Sequence, residues 1–217
     1  MASVKAGYEV QTAVPEPASR GARAETRRRH LLDVARVLFV DQGFHQTGIA
    51  QIAARFGIRV GQIYRDFESK EAIIAAICGE DMSGWLEEDA LAAAVEGGDL
   101  PAIRRWIARF GEQDGSVEEC RMMTEIMAEA GRNPRVAEIY RNLHARVRAC
   151  LNRALTALAP GMRPGEVAAL AELILVMGSG TMSLRVLDPE GADLAGRIIP
   201  KLLDRELDAL ARSHARA

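Results

Sequence analysis

Apolar residues recur with a helical period through most of the chain beyond residue 23. Leu31, Val34, Ala35 and Leu38, for example, stand at i, i+3, i+4 and i+7, which places them on one face of a helix. Glycine and proline residues divide the pattern into segments, each long enough for a helix. The spacing therefore predicts an all-α fold.

The segments predict a first helix from about Ala24 to Gln42, two short helices, and then six longer ones. Asn133 followed by Pro134 is a typical helix start. Pro200 interrupts the last helix, and the pattern leaves a kink and a restart as open alternatives. The six longer helices are predicted over Ser69 to about Val95, Asp99 to Phe110, Val117 to Ala130, Pro134 to Leu158, Pro164 to Leu187, and from about Asp193 onward.

The two short helices are predicted between Thr47 and Phe67. Thr47 stands where it can cap the first helix, and Gly57 supplies the positive φ that ends it. The second helix is predicted to run from Val60 to Phe67. Its apolar positions are Val60, Ile63, Tyr64 and Phe67. Two short helices joined by a glycine turn, with a polar outer face, make a helix-turn-helix motif, here over residues 48–67.

The outer face of this motif carries residues suited to double-stranded DNA. A reading helix needs a small residue for close approach, a side chain that contacts base edges, and cations or hydroxyls for phosphates. The residues that fit these roles are Thr47, Arg59, Gly61, Gln62, Tyr64, Arg65 and Lys70.

The sequence of this stretch resembles that of a known protein family. The run T-x-x-x-x-I-A-x-x-x-G-I-x-x-G-x-I-Y-x-x-F-x-S-K-E, preceded by LLDVARVLFVDQGF, is similar to the N-terminal domain of tetracycline-repressor-type (TetR family) regulators, over residues 24–77. The resemblance implies a three-helix DNA-binding domain (residues 24–80) and a six-helix C-terminal domain (residues 81–217). It also implies a dimer that binds a palindromic operator and leaves it when a small molecule binds. The alternative is a helical ligand- or protein-binding module whose head no longer reads DNA.

Three residues depart from the family's pattern. Arg59 stands where Ser or Thr often caps the reading helix, so we expect it to contact a phosphate or a guanine edge instead. Gln62 replaces a small hydroxyl residue, which favours adenine readout. Asp66 adds a negative charge, and we expect it to pair with Arg55 or Arg65.

Charge is distributed unevenly along the chain. The formal net charge is −2, but residues 20–70 hold ten Lys and Arg against five Asp and Glu, a local +5 that leaves −7 for the rest. Residues 1–23 lack periodicity and are predicted to be a disordered basic arm. Beside it, Arg27, Arg28 and Arg29 could reach phosphates or a minor groove. The alternative is that these arginines only keep the arm solvated.

The helix predicted over Pro164 to Leu187 is apolar around nearly its whole circumference, so it needs cover on both sides. A central core helix would satisfy this pattern. The resemblance implies that the last two helices pair across a twofold axis, with core on one side and a subunit interface on the other. The predicted interface residues are Leu173, Val176, Met177, Gly180, Leu184, Leu203 and Leu207.

A small-molecule effector is also implied by the resemblance. Aromatic, methionine and histidine residues lie on the helices that would surround a pocket, although such residues are equally typical of a plain core. Tyr140 or His144 could orient an apolar effector through a hydrogen bond. The candidate ligand-binding residues are Trp85, Trp106, Phe110, Met123, Met127, Tyr140 and His144.

The sequence gives little support to other classes of function, such as an enzyme, a metal-binding protein or a membrane protein. The sequence contains no nucleophile elbow, phosphate loop or metalloprotease motif, so we expect no enzymatic activity and no cofactor. Cys78, Cys120 and Cys150 are too widely spaced for a zinc site, and their odd number suits a reducing cytoplasm. The longest uncharged apolar run, from Leu173 to Leu184, is too short to span a bilayer. We therefore expect a cytoplasmic protein with no metal and no membrane association.

Overall fold

The computed structural model describes residues 20–112 and 115–214. These residues form an all-α fold, as predicted, with the helices α1 (Arg20–Gln42), α2 (Ile49–Phe56), α3 (Val60–Ile63), α4 (Lys70–Leu86), α5 (Glu88–Glu96), α6 (Leu100–Glu112), α7 (Val117–Ala130), α8 (Pro134–Leu158), α9 (Pro164–Leu187) and α10 (Pro189–His214). Most of the predicted disordered arm, residues 1–19, lies outside the described residues. Its last part, from Arg20, belongs to α1.

Three long helices of the C-terminal half, α7, α8 and α9, begin where the sequence signals predicted. Ser116 accepts a hydrogen bond from the N–H of Glu119 at the start of α7, and Asn133 accepts two at the start of α8. The last helix begins earlier than predicted, at Pro189, and continues through Pro200 without a restart. At Pro200, α10 packs closely against α6. A Cβ atom on Gly111 would lie only 3.0 Å from Cδ of Pro200.

The helix predicted from Ser69 to about Val95 is divided into α4 and α5. Glu87 lies between them in the left-handed region, at φ 47°, and Arg109 of α6 pairs with its carboxylate at 3.1 Å. Two carbonyls at the end of α4 are satisfied from α6: Trp106 donates to the Leu86 carbonyl at 2.6 Å, and Arg109 donates to that of Trp85 at 2.5 Å. The C-terminal part therefore has seven helices in the described residues, where six were predicted.

Two apolar cores organise the chain. The head, which we define as α1 to α3 with α4 up to Cys78, encloses one core around Phe39, Phe44 and Ile63, and α7 and α8 contribute Met122 and Val136 to it. The body, which we define as the rest of α4 with α5 to α10, encloses the other core. Because the head core includes residues of α7 and α8, the head is packed directly on the body.

Helix α9 lies at the centre of the body. By length and composition alone it is the one helix in the described part of the chain that could cross a membrane. Its buried residues, among them Leu170, Ile174 and Leu175, belong to the body core. The apolar composition of α9 is therefore accounted for by packing within the body and, on the side turned away from it, by the exposed face described below.

Candidate nucleic-acid interface and ligand cavity

The turn before α2 is built around a buried hydroxyl. Thr47 is 1% exposed, and its Oγ1 donates to the carbonyls of Leu38 and Gly43, at 3.1 and 2.9 Å. The helix cap is Gly48, whose N–H donates to Oε1 of Gln51. The predictions that Thr47 caps α2 and contacts DNA are therefore wrong, since its side chain fixes the end of α1 instead.

Lys70 is also engaged within the head. Its Nζ donates to the carbonyls of Phe44 and Thr47, at 2.6 and 2.9 Å, and lies 4.2 Å from the centre of the Phe44 ring. Burial lowers the pKa of this ammonium group. Lys70 therefore supports the turn before α2, and its predicted phosphate contact stays a prediction. On its other side, this turn is held by Glu125 of α7, which accepts the Phe44 N–H at 2.7 Å.

The reading helix α3 is shorter than predicted, since its helical hydrogen bonding ends at Ile63 rather than at Phe67. Ile63 and Phe67 are buried and anchor it, but Tyr64 is 54% exposed instead of facing inward. Oε1 of Gln62 accepts the N–H of Arg59 at 3.0 Å, which satisfies this backbone donor at the helix start, while the Arg59 side chain provides no cap.

Of the three neighbouring arginines of α1 that were predicted to contact DNA, two already have partners within the protein. Nη2 of Arg27 lies 2.9 and 2.6 Å from the carboxylate oxygens of Asp66. Arg28 pairs with Glu80 at 2.7 Å and lies over the ring of Phe67. The expectation that Asp66 pairs with Arg55 or Arg65 is therefore wrong, because its partner comes from α1.

Four arginines of the head are exposed and make no ion pair with any described residue. They lie on α1, at the end of α2 and around α3, and they are Arg29, Arg55, Arg59 and Arg65. We use the term reading surface for α3 and its flanks, namely Arg59, Gly61, Gln62, Tyr64 and Arg65. A Cβ atom on Gly61 would have no neighbour within 4 Å, so this part of α3 is open to close approach.

A cavity of about 190 Å³ lies in the body, lined from α4, α6, α7, α8 and α9. Five of the seven predicted ligand residues line it: Trp85, Phe110, Met123, Tyr140 and His144. Trp106 does not, because it is buried in the core with its Nε1 bound to the Leu86 carbonyl, and Met127 does not line it either. Further apolar lining comes from Met82, Leu143, Val147, Leu175 and Met182, which sequence periodicity could not separate from other core residues.

The polar groups of the cavity include a hydrogen-bonded pair on α8. Tyr140 Oη and His144 Nε2 are 2.9 Å apart. Burial raises the pKa of Tyr140, whereas burial and then the nearby Arg148 lower the pKa of His144. Both groups are therefore uncharged near neutral pH.

One acidic residue of the cavity is tied to the head. Asp81 of α4 lines the cavity, and its carboxylate oxygens accept hydrogen bonds from Arg36 of α1 at 2.5 and 2.6 Å. The nearby carboxylate raises the pKa of Arg36 further. The cavity and the head therefore share one ion pair, which the sequence did not indicate because its members stand on different helices.

The outer faces of α9 and α10 leave apolar residues exposed. Of the predicted interface residues, Leu173, Val176 and Gly180 are exposed, while Met177 and Leu184 are half-buried. Leu203 and Leu207 are 3% and 4% exposed and belong to the body core, so their prediction as interface residues is wrong. The exposed apolar residues of α10 are Leu194, Ile198 and Leu202, spaced by four on a different face.

Comparison with known proteins identifies the family. Residues 31–77 match the family described as bacterial regulatory proteins, TetR family. Residues 103–212, about half of the chain, match the C-terminal domain of BetI-type transcriptional repressors. The chain belongs to the TetR family of transcriptional regulators. These families are DNA-binding regulators and not enzymes, which confirms the prediction from the sequence.

Several relatives resemble this TetR-family regulator over much of its length. The regulator UidR from Escherichia coli K12 is 33% identical over 126 residues, which are 56% of this chain but only 60% of UidR. Salmonella enterica GusR has a similar structure, with a TM-score of 0.63 and 26% identity, covering 86% of this chain and 96% of GusR. A transcriptional regulator from Saccharomonospora viridis in complex with choline has a TM-score of 0.62 over 85% and 96% of the two chains; at 17% identity it supports the fold alone.

Proposed function

We propose that this TetR-family regulator is a repressor that binds a palindromic operator as a homodimer in the cytoplasm, and that a small, largely apolar molecule releases it. The observation that carries the proposal is the exposed reading surface with its unpaired arginines, because such a surface suits a polyanion. A dimer seated on a promoter would exclude polymerase without further contacts.

The apolar face of α9 and α10 supports the homodimer. Leu173, Val176 and Leu202 are each at least half exposed, and an exposed apolar cluster of this kind is typical of an interface. Two heads related by a twofold axis would reach successive major-groove faces about 34–36 Å apart. The twofold symmetry would thus supply both the affinity and the spacing that one short reading helix lacks.

The cavity supports a small effector. Its lining is mostly apolar, with the Tyr140–His144 pair available to bind one polar group. No lysine or arginine of the described chain lines it, so an anionic group would find no partner there.

Two connections link the cavity to the head and support release by the effector. Asp81 lines the cavity while binding Arg36 of α1. Met123 of α7 also lines it, two residues before Glu125, which holds the Phe44 N–H. An effector that favours a different position of α4 or α7 would shift both heads, and a coupling of about 1–3 kcal/mol would suffice.

Operator binding is tested by fluorescence anisotropy. The full-length protein is titrated against a labelled random-sequence duplex and against a duplex that the protein itself enriches from a random pool. We expect tighter binding to the enriched, near-palindromic duplex, and a loss in Arg65→Ala that is absent in Arg141→Ala, an exposed arginine of α8. Equally weak binding to both duplexes, unchanged in Arg65→Ala, would support the alternative of a helical ligand- or protein-binding module.

Effector binding is tested with the chain's own fluorescence. The chain has two tryptophans, and in Trp106→Phe only Trp85 of the cavity remains as a reporter. Titration with a panel of small neutral aromatic alcohols should change Trp85 emission and weaken operator binding at the same concentrations. Tyr140→Phe, which loses the hydroxyl, should respond less. An emission change without any effect on operator binding would contradict release by the effector.

A further inference from the structure

An acidic residue stands within the cationic surface of the head. Asp66 follows Arg65 in the turn after α3, and this turn is fixed because Ile63 and Phe67 on either side are buried. The N–H of Asp66 donates to the Ile63 carbonyl at 2.9 Å. The carboxylate therefore cannot withdraw from the surface on which Tyr64 and Arg65 are exposed.

Asp66 holds an arginine that would otherwise be available to DNA. Both carboxylate oxygens accept from Nη2 of Arg27, and the two side chains are 36% and 22% exposed. Ion pairs this accessible contribute only about 0–1 kcal/mol to folding. The pair is therefore a weak contributor to stability, yet it removes one cation from the phosphate-binding surface and leaves a carboxylate there.

We propose that Asp66 is a specificity-determining residue, which holds Arg27 away from the phosphate backbone and thereby weakens binding to unrelated DNA. Affinity for unrelated DNA comes almost entirely from neutralised phosphates. Specificity is a difference between two affinities, and a repulsive element against the competitor raises it. The inference rests on the operator-binding function proposed above.

The effect differs between operator and unrelated DNA because the two complexes are docked differently. On the operator, base contacts from Gln62 and Arg65 hold the head close to the backbone, so Arg27 can exchange the carboxylate of Asp66 for a phosphate. On unrelated DNA no base contacts hold the head in place, so nothing favours the exchange of the Asp66 carboxylate for a phosphate by Arg27. Removing the carboxylate therefore benefits the unrelated complex more than the operator complex.

The test compares the wild-type protein with Asp66→Asn on the random-sequence and enriched duplexes over a series of KCl concentrations. For the random duplex, the plot of log association constant against log salt should steepen by about 1.8 per dimer, since each extra phosphate contact contributes about 0.9. At low salt this corresponds to binding that is tighter by about tenfold or more. The ratio of affinities for the two duplexes should fall accordingly.

Two variants isolate the cause. Glu88→Gln breaks a matched ion pair in the body, where Arg146 contacts both oxygens of Glu88 at 2.8 and 2.9 Å, and it should leave the salt slope unchanged. In the double variant Arg27→Gln/Asp66→Asn the steeper slope should disappear, because the released cation is gone.

The outcomes separate this inference from the function on which it rests. If the wild-type protein binds neither duplex, the DNA-binding function fails and the inference with it. If the wild-type protein binds but Asp66→Asn leaves the slope unchanged, only the inference is overturned. Survival of the steeper slope in the double variant would also overturn it, since the gain would then not come from Arg27. Thermal unfolding of each variant verifies that the fold is retained.

Discussion

The head and the body of this regulator differ in what they leave exposed. Around α3 the head buries Ile63 and Phe67 and exposes arginines, so its surface is suited to a polyanion. The body, in contrast, exposes large apolar residues along α9 and α10, among them Val176 at 66% and Leu194 at 59%. A surface of this kind is suited to another apolar surface, and a second copy of the chain provides one.

Both regions are built from amphipathic helices, but a polyanion and a second copy of the chain require different residues on the surface. In the head, residues that look like DNA contacts, such as Thr47 and Lys70, build the turn that supports α2. In the body, residues that look like an interface, such as Leu203, fill the core, and the neighbouring Leu202 is exposed. In each region, therefore, some residues of a given type support the fold, and others of the same type lie on the surface that a partner could contact.

The largest effect is expected on the exposed face of the body. Leu173→Glu places a charge in the proposed interface, and because the change occurs twice per dimer it should raise the dimer dissociation constant by at least about a hundredfold. Sedimentation velocity would show the monomer at concentrations where the wild-type protein is a dimer. Leu100→Glu, which changes a similarly exposed leucine of α6, is the control. Unaltered sedimentation of Leu173→Glu would place the interface elsewhere.

A smaller effect should distinguish a residue that supports the fold of the head, Lys70, from one that contacts DNA, Arg65. Lys70→Gln loses the charged hydrogen bonds to Phe44 and Thr47 and should lower the free energy of unfolding by about 2 kcal/mol. Its operator binding should keep the wild-type salt slope. Arg65→Gln should show the converse, with stability within about 0.5 kcal/mol of wild type and a shallower slope. Chemical denaturation and anisotropy measure the two quantities, and a shallower slope in Lys70→Gln would show that Lys70 contacts a phosphate as well.

The helices could be predicted from the sequence because their signals are local. Glycine, proline and capping residues lie within a few positions of most boundaries, and Ser116 and Asn133 cap α7 and α8 as such residues usually do. The division at Glu87 was missed because no glycine or proline marks it. That break is stabilised by Trp106 and Arg109, which come from another helix.

The candidate sites were predicted less completely because they depend on contacts between distant segments. The partner of Asp66 is Arg27, 39 positions earlier, whereas the sequence offered only nearby arginines. Likewise, periodicity shows that α10 is apolar on two faces but not which of them meets the body. Five cavity residues were predicted because aromatic, methionine and histidine residues were selected on the helices expected to surround a pocket, and Trp106 shows that residue type alone does not decide.

A still smaller effect concerns the glycine at the end of α1. Gly43 has φ 83°, and a Cβ atom there would lie 3.1 Å from Oε1 of Glu125. Gly43→Ala should therefore lower the free energy of unfolding by about 1–2 kcal/mol. Gly79→Ala, in an open position of α4, should raise it by about 0.5–1 kcal/mol. Thermal denaturation of both variants gives the two signs, and a stabilising Gly43→Ala would show that α7 does not constrain the head at this turn.

The smallest effect is expected at His144 in the body, because burial changes the pKa of its side chain. Burial, followed by Arg148, lowers the pKa of His144 below its ordinary value of 6.5. As the pH falls through about 6.5, the unfolded chain therefore binds a proton that the folded chain does not yet bind, so this residue's contribution to stability decreases until the lowered pKa is reached.

His144→Asn should remove this dependence. The difference in unfolding free energy between wild type and variant should shrink as the pH is lowered from about 7.5 to about 5, and denaturant titrations at each pH would measure it. His45→Asn, at an exposed position of the head, serves as the control for the substitution itself. A difference that stayed constant with pH would mean that the cavity admits enough water to solvate the imidazolium.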